Sequence, residues 1–194
     1  SLVTRGRSLP LWLVGINPSF SWKGLTVAMT WDYRGGHYAY HGIGSDMDFT
    51  GISWRSGQFG RQRFVFPNSV YDDGTGKYVP NENIQVASGG RDFWATGTTN
   101  TSVATNYFSS AAFWKLRELA ISYELPSSWI GGGKFIKKVL ISAVGRNLFT
   151  IVPDSNQWTD PEFNYTDQGN TFGLNSVFAT PPARLFAGSV RLTF

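Results

Sequence analysis

The sequence predicts an all-β fold made of antiparallel strands that are long enough to cross a lipid bilayer. Apolar and polar residues alternate over stretches of about ten residues, the length that a tilted strand needs to span a membrane. Aromatic residues make up 16% of the 194 residues and charged residues only 15%. Aromatic side chains favour strands and membrane interfaces. The 22 glycines and 9 prolines indicate many turns and argue against long helices.

The predicted strands occupy residues of about 11–20, 25–35, 112–124, 136–150 and 184–194. In the first strand, apolar side chains recur at Trp12, Val14 and Ile16. Pro18 cannot donate a hydrogen bond to a neighbouring strand, so we expect a bulge or a strand end there.

The second and the last strands show the alternation most clearly. From Leu25 to Tyr33 every odd position is apolar, and the even positions are small or polar. From Phe186 to Phe194 the even positions form one face of apolar residues and glycine, while the odd positions carry alanine, serine, arginine and threonine. One side of each strand is thus suited to an apolar environment and the other to a polar one.

The third and fourth strands are less regular. Around Ile121, apolar and polar residues alternate in the third strand. The segment from Ile136 to Thr150 is rich in β-branched and apolar residues, which predicts a strand but leaves its two faces unassigned.

The predicted connections between strands are unequal in length. A tight turn at residues 21–24 joins the first two strands, and about a dozen residues, 125–135, join the third and fourth. In that link, Ser127 or Ser128 is suited to cap a single helical turn. The other two connections are long, from Gly35 to Ala112 and from Ile151 to Ala183. Short turns that alternate with long loops are typical of outer-membrane barrels.

A soluble β-sandwich is the alternative interpretation, since its strands also carry one apolar face. Long loops are uncommon in compact domains and sandwich strands are usually shorter, so we favour a membrane barrel. Known barrels begin at about eight strands, and five strands cannot close by themselves. The barrel interpretation therefore requires that a longer polypeptide supplies further strands.

Several functional classes lack support in the sequence. There is no cysteine, so disulfides, thiolate metal sites and cysteine nucleophiles are excluded. No apolar run of 18 residues predicts a transmembrane helix, and the scattered net charge of +4 does not indicate a nucleic-acid-binding surface. His37 and His41 lie in a glycine-rich loop without a zinc motif. Residues 72–77 predict a hairpin turn rather than a phosphate or calcium loop. We therefore expect no enzyme activity, no cofactor and no metal.

Five motifs in the second half of the chain resemble one family, the SusC/RagA-type TonB-dependent outer-membrane transporters. They are Ala112–Pro126 (AFWKLRELAISYELP), Gly145–Thr150 (GRNLFT), Asp160–Glu162 (DPE), Pro181–Arg184 (PPAR) and the terminal Val190–Phe194 (VRLTF). Residues 21–25 and 31–36 agree more loosely with the family's turn and strand end. Arg146 departs from the glutamine that is usual in the family.

The resemblance implies a barrel of about 22 strands, of which this chain would supply the C-terminal five, with both long loops outside the cell. An N-terminal plug and a TonB-contacting segment would lie upstream of these residues. The implied function is TonB-dependent uptake of glycan or peptide fragments across the outer membrane with a SusD-type surface lipoprotein. Barrel-assembly machinery, outer-membrane lipid and lipopolysaccharide would be further partners. A non-transporting structural subunit and a soluble glycan-binding module are the alternatives.

The resemblance also implies roles for particular residues. The residues expected to contact the ligand or the lipoprotein lid are Trp54, Arg61, Arg63 and Trp94. The barrel-assembly signal would be Val190, Leu192 and Phe194. The residues expected to face the lumen are Thr26, Thr30, Asp32, Ser189, Arg191 and Thr193. Arg61 and Arg63 could instead bind lipopolysaccharide phosphate or pair with Asp72 and Asp73. Asp160–Glu162 is interpreted as a structural turn.

Overall fold

The computed structural model describes residues 4–86, 90–96, 100–131, 135–163, 173–178 and 180–194. The chain divides into two compact units. Unit 1 comprises Ser1–Ala39, Ser110–Gly173 and Ala179–Phe194, and unit 2 comprises Tyr40–Ser109 and Leu174–Phe178. Among the described residues, none of the helices has the length and apolar character that a membrane crossing requires.

The described elements are mostly strands. In chain order they are β1 (Trp12–Ile16), β2 (Ser19–Trp22), β3 (Leu25–Gly35), β4 (Tyr38–His41), β5 (Val70–Asp72), β6 (Tyr78–Pro80), β7 (Phe108–Ser110), β8 (Phe113–Glu124), β9 (Lys138–Ile151), β10 (Leu174–Asn175) and β11 (Leu185–Thr193). The helices are α1 (Gly42–Thr50), α2 (Trp54–Gly57) and α3 (Arg91–Trp94), with 3₁₀ turns at Ala104–Tyr107 and Ser127–Ile130.

The main sheet of unit 1 is antiparallel and has the strand order β1-β3-β8-β9-β11, with β2 also paired to β3. The single strand predicted at 11–20 is therefore two strands, β1 and β2. Asn17 and Pro18 separate them because proline has no backbone N–H to give to the ladder. The carbonyl oxygen of Pro18 still accepts a hydrogen bond from the backbone N–H of Met29, at 3.0 Å.

Two short connections determine how the strands of this sheet follow one another. β2 and β3 are joined by Lys23 and Gly24, whose φ angles of 45° and 85° are those of a type I′ hairpin turn. Between β8 and β9, a 3₁₀ turn begins after Pro126 and ends at Gly131 in the left-handed conformation. No side chain caps its N-terminus, so the expected serine cap is not formed.

The register gives the main sheet two different faces. On one face a row of five hydroxyl side chains crosses paired strands, and it consists of Ser21, Thr26, Ser122, Ser142 and Ser189. On the other face the neighbouring row is apolar or aromatic, and it consists of Trp22, Leu25, Tyr123, Ile141 and Val190. Alternation within single strands therefore extends across the whole sheet. Many apolar side chains remain exposed, among them Phe186 at 77% and Val190 at 65%.

Unit 2 contains most of the segment that the sequence predicts as one long loop. It includes α1, α2, α3, the β5–β6 hairpin and the short sheet β10-β4-β7, in which β10 runs parallel to β4. Local signals explain these elements. Gly51 ends α1 in the left-handed conformation, and the hydroxyl of Ser53 caps α2 by accepting from the N–H of Ser56 at 3.1 Å. The hairpin lies where residues 72–77 predict it.

Candidate functional site

The centre of unit 2 is the carboxylate of Asp48, on α1, whose side chain is completely buried. It accepts hydrogen bonds from the hydroxyls of Ser53 and Tyr107 at 2.6 and 2.8 Å, and from the amide of Asn100 at 3.0 Å. The guanidinium of Arg55 pairs with both of its oxygens, with Nε at 3.1 Å from each. Since charged groups are buried only when they are paired, this cluster holds together two segments that are distant in sequence, residues 48–55 and 100–107.

The surroundings of Asp48 keep it ionised. Burial by itself would raise the pKa of Asp48, but the hydrogen bonds from Arg55, Ser53, Asn100 and Tyr107 outweigh it and lower this pKa. Burial and the neighbouring carboxylate raise the pKa of Tyr107. The pair therefore consists of a carboxylate and a neutral phenol that donates to it.

The second buried polar group of unit 2 is His41, which has no exposed surface. Its Nε2 lies 2.7 Å from the hydroxyl of Ser109, and its Nδ1 lies 2.8 Å from the amide nitrogen of Asn175. The amide donates to Nδ1, so Nε2 carries the proton and donates to Ser109. Burial lowers the pKa of His41 to about 4, so the imidazole is neutral at pH 7.

Beside Asp48 lies a cleft of about 250 Å³. The cleft is lined by two of the residues predicted to contact a ligand, Arg61 and Trp94, which are far apart in sequence. Arg91, which the sequence interpretation did not single out, also lines it, as does the exposed ring of Phe49. We call this the cationic cleft. Arg91 could have been noticed only as one arginine among many, since no periodic pattern marks it.

Several hydrogen-bond donors of the residues that line the cationic cleft have no acceptor in the described part of the chain. Arg61 donates one hydrogen bond, to the carbonyl of Gly51 at 3.0 Å. Within the described part of the chain, the guanidinium of Arg91 forms no ion pair. Trp94 is 6% exposed, and its indole N–H is buried with no acceptor. The indole ring is itself held by the guanidinium of Arg55, 5.1 Å from the ring centroid.

The other two predicted contact residues, Trp54 and Arg63, do not line the cationic cleft. Trp54 is the first residue of α2 and is 58% exposed, and Arg63 is exposed as well. Neither Arg61 nor Arg63 forms an ion pair with Asp72 or Asp73 of the β5–β6 hairpin. Asp72 and Asp73 instead accept hydrogen bonds from backbone N–H groups of their own turn, at 2.9 and 2.8 Å.

Unit 1 carries a network of ion pairs on the hydroxyl-bearing face of its sheet. Lys115 on β8 is 1% exposed, and its ammonium donates to Asp160 and Glu162 at 2.7 Å each. Arg117, at the bulge between β3 and β8, donates to Glu162 at 2.6 Å and to Asp32 at 3.2 Å. Each buried cation is thus matched by carboxylates, as burial of charge demands.

Asp160–Glu162 therefore does more than the structural turn that its sequence predicts. The turn is present, because Asp160 accepts from the backbone N–H of Glu162 at 3.0 Å. The carboxylates also tie the segment to β8. Burial would raise the pKa of Glu162, but hydrogen bonds from Arg117 and Lys115 hold it down to about 2. The resulting stabilisation is present above pH 4.5 and is lost as the pH falls towards 2. The sequence signal for this ion-pair network was the presence of Lys115 and Arg117 within a predicted membrane-spanning strand, because charged residues are rare there.

The residues predicted to face the lumen share one face of the sheet. Thr26 on β3 and Ser189 on β11 belong to the hydroxyl row, and the alternation places the other four beside them: Thr30, Asp32, Arg191 and Thr193. Val190 and Leu192 lie on the opposite, apolar face. The ring of Phe194 contacts Phe135 edge-on, with centroids 5.3 Å apart. Which face meets lipid and which meets the lumen stays a prediction.

Comparison with solved structures shows which known fold this chain resembles. The chain is similar to the RagAB peptide importer in its "closed-closed" state, with 20% sequence identity and a TM-score of 0.57, over 98% of this chain and 18% of that chain. It also resembles the importer in the "open-open" state (20% identity, TM-score 0.50, 94% and 17% of the two chains) and a structure of the RagAB peptide transporter (19%, 0.52, 94% and 17%). This chain therefore spans less than a fifth of those chains.

At this level of identity the likeness concerns the fold alone. It agrees with the predicted all-β, antiparallel architecture, which the strands of the main sheet also display. No protein-family model matches the chain, and no curated protein matches it either.

Proposed function

We propose that this chain is the C-terminal part of the barrel of a SusC/RagA-type TonB-dependent transporter in the bacterial outer membrane. The observation that carries the proposal is the two-faced antiparallel sheet, in a chain whose fold resembles part of the RagAB peptide importer over 98% of its length. A sheet with one hydroxyl-bearing face and one apolar face suits a barrel wall between water and lipid.

The two faces have different roles in this proposal. The apolar face contacts membrane lipid, which explains why large side chains such as Phe186 and Val190 are exposed in the isolated sheet. The other face contacts the lumen and the plug through short hydroxyl side chains and charged groups. The ion pairs of Lys115 and Arg117 neutralise the charge of these two cations on that face. The apolar terminal row of Val190, Leu192 and Phe194 serves as the barrel-assembly signal.

The remaining parts of the mechanism lie outside these residues. A plug and a TonB-contacting segment upstream couple import to energy from the inner membrane, and a SusD-type lipoprotein closes the barrel from outside. Unit 2 supplies loop surface for the ligand or that lid, through Trp54, Arg61, Arg63 and Trp94. We favour peptides as cargo over glycans, because the similar solved structures are described as a peptide importer. Import leaves the cargo unchanged, so no enzyme activity or cofactor is needed.

The test uses the full-length polypeptide in its native membrane. Its intact mass and N-terminal sequence are determined after purification from outer-membrane fractions, and uptake of labelled peptides is measured in cells. We expect a much longer polypeptide with a plug and a TonB segment, and we expect deletion of that segment to abolish uptake while the barrel still assembles. Assembly without any uptake in the wild type would favour a structural subunit. A soluble product of this length would contradict the barrel.

A further inference from the structure

The cationic cleft of unit 2 has an excess of positive charge. Among the charged side chains that line it, Asp48 is already paired with Arg55. Arg61 and Arg91 line the same cleft without a carboxylate partner in the described part of the chain. Both are exposed and hence accessible to a ligand. Because the charges of Asp48 and Arg55 cancel, the guanidiniums of Arg61 and Arg91 determine the electrostatic potential of the cleft.

Hydrogen-bond donors without acceptors point the same way. A guanidinium has five N–H donors, and Arg61 uses one of them on the carbonyl of Gly51. Arg91 forms no ion pair in the described part of the chain, so the donors of its guanidinium also face the cleft without a carboxylate acceptor. The walls of the cleft thus offer several donors and positive charge, which suits a ligand that carries only acceptors and is negatively charged.

We propose that the cationic cleft is a carboxylate-binding subsite for an imported peptide, with Arg91 and Arg61 as its charged ligands. The proposal rests on the function proposed above, since it assigns the peptide's acidic group to a particular place. Planar carboxylates accept two parallel hydrogen bonds from a guanidinium. The carboxylate is that of an acidic side chain or of the peptide's C-terminus, which share the same chemistry.

The size of the cleft fits one group of a peptide rather than a whole ligand. Its volume of about 250 Å³ is below the roughly 300–1,000 Å³ typical of sites that enclose a small molecule. The exposed ring of Phe49 at the cleft, 65% accessible, offers apolar surface for the neighbouring residue of the peptide. The subsite therefore anchors and selects a peptide but does not enclose it.

The test measures peptide affinity with the purified full-length transporter. The probes are short synthetic peptides with a single glutamate, or with glutamine in its place, each with a free or an amidated C-terminus. The variant Arg91→Gln removes a charge from the cleft. Lys77→Gln is the matched control, because Lys77 is an exposed cation of the same unit that does not line the cleft.

We expect the wild type to prefer a carboxylate-bearing peptide by about tenfold, as for a charge-assisted hydrogen bond. Arg91→Gln should abolish that preference and Lys77→Gln should preserve it. If glutamate peptides bind more tightly than glutamine peptides, the bound group is an acidic side chain. If peptides with a free C-terminus bind more tightly than amidated ones, the bound group is the C-terminal carboxylate.

Four outcomes would overturn the inference. The preference could survive in Arg91→Gln, or Lys77→Gln could reduce it equally, which would indicate a diffuse electrostatic effect. Inorganic phosphate could bind in an Arg91-dependent way while glutamate and glutamine peptides bind alike, which would make the cleft a phosphate site. A wild-type transporter that binds and imports peptides without any acidic preference refutes only this inference. A wild type that binds no peptide refutes the proposed function.

Discussion

Unit 1 and unit 2 are stabilised in different ways. Unit 1 is a sheet of long strands whose register repeats the same two-faced pattern from β2 to β11. Unit 2 has short elements around a buried polar centre, where Asp48 and His41 are completely enclosed and fully hydrogen-bonded. A periodic sheet tolerates the change of one side chain because many equivalent contacts remain. A centre built on single polar groups does not.

The comparison explains why function is expected to concentrate in unit 2. Its irregular segments bring Arg61, Arg91 and Trp94 into one cleft, whereas the sheet of unit 1 presents a regular surface. Unit 1 has its own polar cluster around Lys115, but there every described ion is matched by a partner. Loops carried by a rigid scaffold are the usual location of binding residues.

The sharpest test of this contrast is Asp48→Asn. The substitution leaves Arg55, whose side chain is only 18% exposed, without its counter-charge, and we expect unit 2 to lose about 3–5 kcal/mol of local stability. Hydrogen exchange of the full-length protein should show faster exchange in α1, α2 and residues 100–107. Asp46→Asn, on the exposed face of the same helix, is the control. Equal effects of the two substitutions would contradict a special role for Asp48.

A corresponding change in unit 1 is Lys115→Met. It removes the cation that Asp160 and Glu162 share, while Arg117 still pairs with Glu162. We therefore expect a smaller loss, about 2–4 kcal/mol, confined to residues 152–163 and the adjacent part of β8. Limited proteolysis of that segment measures it. Lys138→Gln removes an exposed pair with Glu124 and should change stability by less than about 1 kcal/mol. Similar protease sensitivity in both variants would argue against the network.

Acid should affect unit 2 through His41. Its pKa is about 4 in the folded protein against 6.5 for the free side chain, so the unfolded state binds more protons between these values. Stability is thus complete above pH 6.5 and declines by roughly 3 kcal/mol as the pH falls to 4. Hydrogen exchange in β4 and β7, corrected for the intrinsic rate at each pH, measures the decline. Most of it should disappear in His41→Gln, and it should persist in His37→Gln, which changes the histidine of unit 1, whose pKa is also lowered by burial and by Arg34. A wild type without the decline would falsify this account.

The smallest effect is expected at the turn between β2 and β3. Gly24 has a φ of +85°, and a Cβ there would lie 2.8 Å from the carbonyl oxygen of Glu124. We expect Gly24→Ala to cost about 1–2 kcal/mol from backbone strain alone, with a further loss from the close contact. Gly74 in unit 2 has a φ of +86° and nothing within 4 Å of its Cβ position, so Gly74→Ala isolates the strain. Thermal unfolding of the two variants separates the contributions, and equal losses would exclude the contact.

The sequence alone was sufficient for the four long strands of the main sheet, β3, β8, β9 and β11. Period-two alternation places β3, β8 and β11 within a few residues of the predicted ranges, because a residue's face in a strand depends only on its position along that strand. The richness of residues 136–150 in β-branched and apolar side chains places β9. Proline chemistry also marked the break at Pro18. The tight turn predicted at residues 21–24 is formed by Lys23 and Gly24.

Only the tertiary structure revealed the organisation of the long loop and the polar clusters. Asp48, Asn100 and Tyr107 are separated by up to 59 positions, and no local pattern marks residues that meet through a folded chain. The same holds for Lys115 and Glu162, whose pairing depends on how the segment after β9 returns to β8. Periodicity records which face a residue occupies, but contacts between irregular segments depend on three-dimensional packing. For that reason the main sheet of this protein is predictable from its sequence, whereas the meeting of Arg61, Arg91 and Trp94 in one cleft is not.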